Sequence, residues 1–379
     1  MFKKYKVRDY RFRLIIYLLI LGIIGILAIG SANESFQGKQ ILGMFGGFVL
    51  MLVVSFVDYH LIVRYSRLFY VVAIILLILV LIPGIGQEVN GATRWMVIGG
   101  GENGIQFQPS EFAKILLILF FSGFFFKNRE KLNTPRVLIE AIILFLIPAI
   151  LILREPNLST TIITTLIFIT LLFIAGLSYK IILGALAISV PLGVIGLLLV
   201  VRDILPLKVY QRNRIMAWID PAQYSDNAYQ QQYSIRAIAS GQVWGKGLRT
   251  ESVLSVKNGH FISEPQNDFI YAIVGEEMGF AGCLIIIILL GLIVMECIIA
   301  ARQARDMTGR LIACGIAGWI GFQSIVNISV ATGLMPNTGV PLPFVSYGLT
   351  SLFSLFIGMG LILNIGLQKK KYKAEDKIL

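Results

Sequence analysis

A carboxylate at the start of an apolar run is the feature of this chain best suited to chemistry. Asp268 ends the polar run Glu264-Pro265-Gln266-Asn267-Asp268 and directly precedes a long apolar stretch. A carboxylate at the boundary between water and lipid is costly unless it has a partner or a function. Asp268 also closes the longest polar segment of the chain, residues 202–268. We therefore expect this segment to cover a substrate groove and Asp268 to carry out proton transfer there.

Charged residues within the apolar runs form a second group. Glu111 and Lys114 are three residues apart, so on a helix they share one face. They either cap the helix and neutralise each other or line a substrate cavity. We favour the cavity, because charges inside a membrane are rarely kept for packing alone. Glu276 lies about two helical turns from Asp268, where it could pair with Lys114 or shape the site, and we place it among the substrate-binding residues as well.

Basic and aromatic residues alternate in the polar segment 202–268. Arg212 and Arg214 are typical of this pattern, with Tyr210 and Trp218 nearby. Such a surface suits a pyrophosphate or a sugar, and we expect these arginines to contact substrate. An aromatic belt at the membrane interface would explain the tyrosines and tryptophans equally well.

The composition is that of an integral membrane protein. The 379 residues are 56% hydrophobic and 14% charged, whereas soluble domains carry about 25% charged residues. The sequence predicts an all-α fold, one domain over 1–379, with ten transmembrane helices at 14–32, 41–57, 68–86, 109–126, 137–153, 158–176, 180–201, 269–299, 310–333 and 348–367. Three intervening segments, 84–108, 202–268 and 334–347, are long or rich in Gly and Pro, and we expect fixed, non-helical backbone in all three.

The distribution of Lys and Arg predicts the orientation. Basic residues concentrate in alternate short loops and at both termini, which places the termini in the cytoplasm. The long segment between helices 7 and 8 is then extracytoplasmic, together with the predicted active site. The net charge of +12 is thereby explained as a topology signal, and no nucleic-acid partner is expected.

Metal and nucleotide sites are not indicated. The chain has two histidines and three cysteines, without the spacing of a metal site. The glycines at 99–101 and 245–247 lack the spacing of a phosphate-binding loop. An activated substrate, an ion gradient or a partner must therefore drive any reaction.

Several motifs together resemble the SEDS family of bacterial cell-wall proteins, which comprises RodA, FtsW and SpoVE. They are GATRW at 91–95, QPSE at 108–111 with Lys114, Tyr233-Ser234, GKG at 245–247, DFI at 268–270, GEEMG at 275–279 and PLPFVSYG at 341–348. The resemblance covers essentially the whole chain. The stretch Pro341-Leu342-Pro343-Phe344 is more similar to RodA, the elongation member, than to FtsW.

The resemblance implies a peptidoglycan glycosyltransferase of the bacterial plasma membrane that polymerises lipid II during elongation and maintains cell shape. The family's essential aspartate corresponds to Asp268, and its motifs imply substrate contact by Arg94 and Ser346. The implied partners are a class B penicillin-binding transpeptidase and other membrane proteins of the elongation complex. Asn157 replaces the aspartate of the family's Pro-Asp-Leu-Gly-Thr motif, so we assign that loop no role.

A single carboxylate suits direct, inverting displacement, with Asp268 as the general base and cations holding the leaving pyrophosphate. The cations are arginines of the long segment or a bound divalent ion, Mg²⁺ or Mn²⁺.

A lipid II flippase is the main alternative function, because Glu111, Lys114 and Glu276 would suit a polar passage. A scaffold without chemistry is the third. The concentration of polar residues on one side favours the enzyme.

Overall fold

The computed structural model describes residues 10–89, 92–99, 105–202, 204, 209–249, 255, 259 and 261–368. Gly91 of the GATRW motif, His260 and both terminal segments lie outside these residues. Over the described ranges the helices are α1 Phe12–Ala32, α2 Glu34–Phe56, α3 Tyr59–Arg64, α4 Ser66–Leu79, α5 Pro109–Lys127, α6 Pro135–Arg154, α7 Leu158–Ile174, α8 Tyr179–Val201, α9 Val209–Ile219, α10 Ser225–Ser240, α11 Ile270–Gln303, α12 Met307–Ala331 and α13 Leu349–Leu367. The strands are β1 Gly86–Val89, β2 Ala92–Ile98 and β3 Ile105–Phe107.

Most of these helices have the length and composition of membrane spans. Seven of those in the described ranges qualify fully: α1, α2, α5, α6, α11, α12 and α13. Shorter apolar helices, α4, α7 and the second half of α8, lie at the three remaining predicted spans. A multi-pass helical membrane protein is thus confirmed, whereas the count of ten spans and the orientation stay predictions.

A small sheet shows that the all-α prediction is wrong between residues 86 and 107. The strands β1, β2 and β3 pair antiparallel in that order, with Trp95 opposite Gln87 and Met96 opposite Phe107. Strand β2 is rich in β-branched and aromatic residues, which favour extended backbone. The sequence Asn90-Gly91, which directly precedes β2, is the dipeptide most typical of a tight hairpin turn. The expectation of non-helical backbone in this segment is confirmed.

Helix α5 lies at the centre of the bundle. It packs against α4, α7, α12 and α13, and most of its side chains are buried. A helix that is apolar on all sides is typical of such a position. Outer helices instead bury one face only. On α6, for example, Phe145 and Ala149 are buried, while Ile139 and Ile143 are more than half exposed, as lipid contact requires.

Helix α11 is not the continuous span that the sequence predicts. Gly279 has φ 65° and ψ −164°, which breaks the helix. Residues 241–247, here called the bridging segment, supply the missing backbone partners. The amide of Phe280 donates to the carbonyl of Gln242 (2.8 Å), and the amide of Lys246 donates to the carbonyl of Glu276 (2.9 Å). Broken helices are tolerated at membrane depth only where such groups are satisfied by protein or water.

The expectation of non-helical backbone is wrong for two stretches of the segment 202–268, which form α9 and α10 because neither stretch contains Gly or Pro. These two helices dock onto the end of α12 through side-chain hydrogen bonds. The side-chain amide of Gln231 on α10 donates to the carbonyl of Val330 (2.8 Å). The hydroxyl of Ser234 donates to the carbonyl of Ala331 (2.8 Å). On α9, the indole of Trp218 donates to the carbonyl of Gly333 (3.0 Å). The segment is therefore held over the helix ends next to Asp268.

Candidate active site

Asp268 lies in the turn immediately before α11, and its main chain is held from two sides. The side-chain amide of Asn327 on α12 donates to the carbonyl of Asp268 (2.8 Å) and to that of Val340 (2.6 Å). The amide of Tyr347 donates to the carbonyl of Gln266 (2.9 Å). These bonds join the Asp268 turn to the segment 334–347, so the two motifs form one site.

The space around the Asp268 carboxylate is shared with Arg94. Gly339 has φ +70°, and a Cβ placed on it would lie 3.2 Å from Oδ2 of Asp268 and 4.0 Å from Nη1 of Arg94. A larger residue at 339 would be strained at this φ and would intrude between the carboxylate and the guanidinium. The glycine therefore leaves both groups accessible to one ligand.

Burial raises the pKa of Asp268 to about 6. Arg214 and Arg94 act in the opposite direction and favour the charged form, whereas Glu264 raises the pKa further. Asp268 is thus ionised at neutral pH but more basic than an ordinary aspartate. A carboxylate with a pKa close to the operating pH is a more effective general base.

Strand β2 positions Arg94 across the site. Its Nε donates to the carbonyl oxygen of Glu155 (3.2 Å), and its Nη2 donates to the carbonyl oxygen of Pro156. The guanidinium thereby spans from the turn between α6 and α7 to the surroundings of Asp268. The structure brings together Asp268, Arg94 and, through its charge, Arg214, three residues that the sequence analysis singles out. Arg212 lies on the same helix as Arg214, and its contact with substrate stays a prediction.

The turn between α6 and α7 is the part of the site that the sequence analysis misses. Glu155 is fully buried, and neither of its carboxylate oxygens makes a well-formed hydrogen bond among the described residues, although the hydroxyl of Ser110 lies close by. Asn157 accepts a bond from the amide of Thr160 (3.2 Å) as the N-cap of α7 and donates to Ser110 (3.4 Å). A Glu-Pro-Asn run in a short turn was the available signal, but it also fits an ordinary helix cap.

Glu111 and Lys114 lie deep in the bundle. Lys114 Nζ is 2.7 Å from Glu111 Oε1 and 2.7 Å from Gln323 Oε1, and it lies 4.9 Å from the centroid of the Trp319 ring. Both charged side chains are almost inaccessible, at 2% and 1%. Gln323 also donates to the carbonyl of Pro341 (2.9 Å). Through Gln323, the pair therefore stabilises the segment 334–347. Substrate contact by either residue stays a prediction.

Glu276 forms an ion pair that the sequence analysis does not predict. Its partner is Lys246 of the bridging segment, at 2.7 Å. The neighbouring Glu277 accepts a 2.5 Å hydrogen bond from Ser31 on α1. Both carboxylates therefore stabilise the part of α11 that begins beside Asp268 and ends at the Gly279 break. Direct substrate contact by Glu276 stays a prediction.

Ser346 forms the turn of the 341–348 motif. Its hydroxyl accepts from the amide of Leu342 (2.8 Å), and its own amide donates to the carbonyl of Leu342 (3.0 Å). The side chain is 5% exposed. The structure thus gives Ser346 a structural contact, and a contact with substrate stays a prediction.

Several buried polar atoms next to Asp268 have no hydrogen-bond partner among the described residues. They are Gln266 Oε1, Asn267 Oδ1, Asn337 Oδ1 and Thr338 Oγ1. Uncharged polar groups of this kind are costly when buried unless a polar ligand or water satisfies them. Their chemistry suits the hydroxyl and amide groups of a sugar.

The described residues do not fit a divalent-cation site. In the described ranges no three His, Cys, Asp or Glu side chains form a cluster that could hold a metal ion. Around Asp268, the charged neighbours are mainly the guanidinium groups of Arg94 and Arg214, which would repel a cation. Arginine is therefore the cationic group that this geometry offers to a pyrophosphate.

Comparison with known families gives a match along almost the whole chain. A family model described as cell cycle protein, and covering FtsW, RodA and SpoVE, matches residues 11–371. A probable peptidoglycan glycosyltransferase FtsW from Taylorella equigenitalis is 35% identical over 307 residues, which is 79% of each chain. Stage V sporulation protein E from Bacillus subtilis is 31% identical over 369 residues, 93% of this chain and 95% of the relative.

Solved structures share the fold. A chain from work on the structural coordination of polymerization and crosslinking by a peptidoglycan synthase complex has a TM-score of 0.76 and 28% identity, covering 94% of this chain and 97% of that one. RodA from Thermus thermophilus has a TM-score of 0.68 and 24% identity, covering 96% of this chain and 98% of RodA. The second likeness, at this identity, shows the fold alone.

Proposed function

The chain belongs to the SEDS family of FtsW, RodA and SpoVE cell cycle proteins, and we propose that it is a peptidoglycan glycosyltransferase that polymerises lipid II. The observation that carries this proposal is the grouping of Asp268 with Arg94 and Arg214 at one end of the bundle. A base and two cations are what glycosyl transfer from a lipid pyrophosphate requires. The names of the relatives support the same activity.

In the proposed reaction, the 4-hydroxyl oxygen of the acceptor sugar attacks the anomeric carbon of the donor. Asp268 takes the hydroxyl proton as the new C–O bond forms. The bond from the anomeric carbon to the pyrophosphate breaks, and its electron pair leaves with the pyrophosphate oxygen. Arg94 and Arg214 stabilise the negative charge that develops there. One displacement of this kind inverts the configuration at the anomeric carbon.

The remaining parts of lipid II have matching surfaces. The unpartnered polar atoms of Asn267, Asn337 and Thr338 would hold the sugars beside the base. The prenyl chain would lie along exposed apolar helix faces. Helix α8 offers one, where Leu183 and Leu192 are 65% and 61% exposed.

We further propose that the chain acts in cell elongation with a class B penicillin-binding transpeptidase. The likeness of Pro341-Leu342-Pro343-Phe344 to RodA supports elongation over division. A partner is supported because a similar chain occurs in work on a complex that joins polymerization to crosslinking. The active site would face outward, with both termini in the cytoplasm.

A lipid II flippase is less well supported. Glu111 and Lys114, which would line its polar passage, are enclosed and paired with each other and with Gln323. Flipping needs a membrane with two sides, whereas polymerisation does not. Purified protein in detergent therefore separates the two activities.

The test compares wild type with Asp268→Asn on fluorescent lipid II in detergent, with products separated on a gel. Asparagine keeps the size of the side chain but does not accept the proton at neutral pH. We expect polymerisation to fall about 10²–10⁴-fold while lipid II binding persists. Asp226→Asn is the matched control, because Asp226 is an exposed aspartate of the same polar segment, and it should keep wild-type activity.

Two outcomes would count against the proposal. Equal glycan formation by wild type and Asp268→Asn would remove Asp268 from the role of base. No glycan from wild type, even with the transpeptidase partner present, would contradict the enzyme assignment itself.

A further inference from the structure

Glu155 is a buried acid that the mechanism above does not use. It lies in the turn between α6 and α7, is 0% exposed, and makes no well-formed hydrogen bond among the described residues, although the hydroxyl of Ser110 lies close enough to act on it. An uncompensated buried carboxylate is costly when ionised, and such groups persist mainly at functional sites. Its position next to the Arg94 contacts connects it to the active site.

Arg94 is the link between the two acids. Two of its nitrogens donate to the main-chain carbonyls of Glu155 and Pro156, while Nη1 points to the Gly339 position next to Asp268. Arg94 and the neutral Ser110 are the groups of the described structure that act on the Glu155 carboxyl. Besides Arg94, the charged groups of the described structure that act on Asp268 are Arg214 and Glu264.

We propose that Glu155 is a positioning residue that sets where the Arg94 guanidinium lies. When Glu155 is uncharged, its turn offers Arg94 only carbonyl oxygens, and the cationic group remains available to Asp268 and to the leaving pyrophosphate. When Glu155 is ionised, the carboxylate draws Arg94 into a buried ion pair and away from both. This proposal rests on the proposed function for the identity of the substrate.

The electrostatics agree with this arrangement. Burial raises the pKa of Glu155 to about 8, against smaller opposing effects of Ser110 and Arg94. Glu155 is therefore uncharged at neutral pH and ionises as the pH rises through that value. Asp268 ionises at about pH 6. The site is competent between the two values, with an acid limb from Asp268 and an alkaline limb from Glu155.

The experiment measures the polymerisation rate of the full-length protein at pH 7 and pH 9. Its readout is the ratio of the two rates for each protein, so a general loss of activity in a variant does not affect it. Wild type should lose about tenfold, because one pH unit above its pKa a group is about nine-tenths ionised. Glu155→Gln, which cannot ionise, should lose less than about twofold. Glu140→Gln is the matched control on α6, where Glu140 is exposed, and it should follow wild type.

The proposal is overturned if Glu155→Gln loses activity at pH 9 as steeply as wild type. Should Glu155→Gln not be recovered as a monodisperse protein, Glu155→Leu gives the same comparison, since it also lacks the charge. Binding of fluorescent lipid II at pH 7 and pH 9 is measured in parallel. If wild type forms no glycan, the proposed function fails. The role of Glu155 is then decided by lipid II binding, where wild type but not Glu155→Gln should bind more weakly at pH 9 than at pH 7, and equal ratios for the two proteins would overturn it.

Discussion

At the residue scale, the charge pair of Lys114 and Glu111 is held where neither member can reach water. Gln323 accepts a second hydrogen bond from Lys114 and one from the indole of Trp319 (2.7 Å each). Buried pairs of this kind contribute little net stability as pairs, but removal of one partner leaves an uncompensated charge. Their role here is to fix α5 against α12 beneath the active-site segment.

Lys114→Met should destabilise the protein by about 3–5 kcal/mol, because Glu111 remains buried without its cation. The double variant with Glu111→Gln should recover part of this loss, since no charge is then left unpaired. Unfolding in detergent by heat or denaturant measures both. Lys127→Met, which removes an exposed lysine from the same helix, should change little. A single variant as stable as wild type would show that the pair is dispensable.

The residues of the site were only partly accessible from sequence. Asp268 stands out because its surroundings change from polar to apolar at that position. Arg94 needs the resemblance, since nothing in its local sequence shows that a strand will carry it to the α6–α7 turn. The sequence analysis misses Glu155 because its chemistry depends on its burial. A carboxylate in a short turn between spans is expected to be exposed to water. The partner of Glu276, Lys246, is 30 residues away in sequence, and no local period predicts it.

At the scale of elements, the break in α11 is the main departure from the predicted architecture. The apolar run continues through Gly279, so a hydrophobicity pattern shows one span. The break depends on backbone bonds to the bridging segment, where the amide of Gly247 also donates to the carbonyl of Glu277 (3.0 Å). Long-range backbone pairing leaves no signal in composition. The helices themselves are predicted well because their burial is continuous over about twenty residues.

Gly245 and Gly247 form a matched pair for testing this junction. Both have positive φ, +81° and +93°, so alanine costs about 1–2 kcal/mol at either position. A Cβ at 245 would in addition overlap the carbonyl of Glu277, whereas a Cβ at 247 would meet nothing within 4 Å. Gly245→Ala should therefore lower the melting temperature more than Gly247→Ala and reduce polymerisation more. Equal effects would show that the junction adapts to a side chain.

At the scale of the whole molecule, the outer faces are apolar and the polar mass lies at the helix ends. Large aliphatic side chains are exposed along α1, α2, α6 and α8, which is the pattern of a lipid-facing surface. The groups of the proposed active site lie at the end of the bundle that the distribution of Lys and Arg predicts to face outward.

Cysteine labelling of intact cells tests that orientation. In a background without Cys283, Cys297 and Cys314, a membrane-impermeant reagent should label Gln223→Cys and not Glu130→Cys. Both positions are exposed, so access differs only by the side of the membrane. Permeabilised cells should give labelling of both. Labelling of Glu130→Cys in intact cells would reverse the topology and place Asp268 in the cytoplasm.

The junction at Gly279 also defines what can be exchanged between relatives. A chimera that imports only the polar segment would bring a foreign stretch of backbone to a native helix. The hydrogen bonds that the amides of Phe280 and Ala281 donate to the carbonyls of Gln242 and Val243 would then have to form between unrelated sequences. The smallest unit that can be exchanged intact is therefore the polar segment together with the first third of α11, even though the sequence predicts a loop for one part and a membrane span for the other. Recombination points that respect the water–lipid boundary would cut through this unit, whereas a crossover beyond Ala281 would leave it whole.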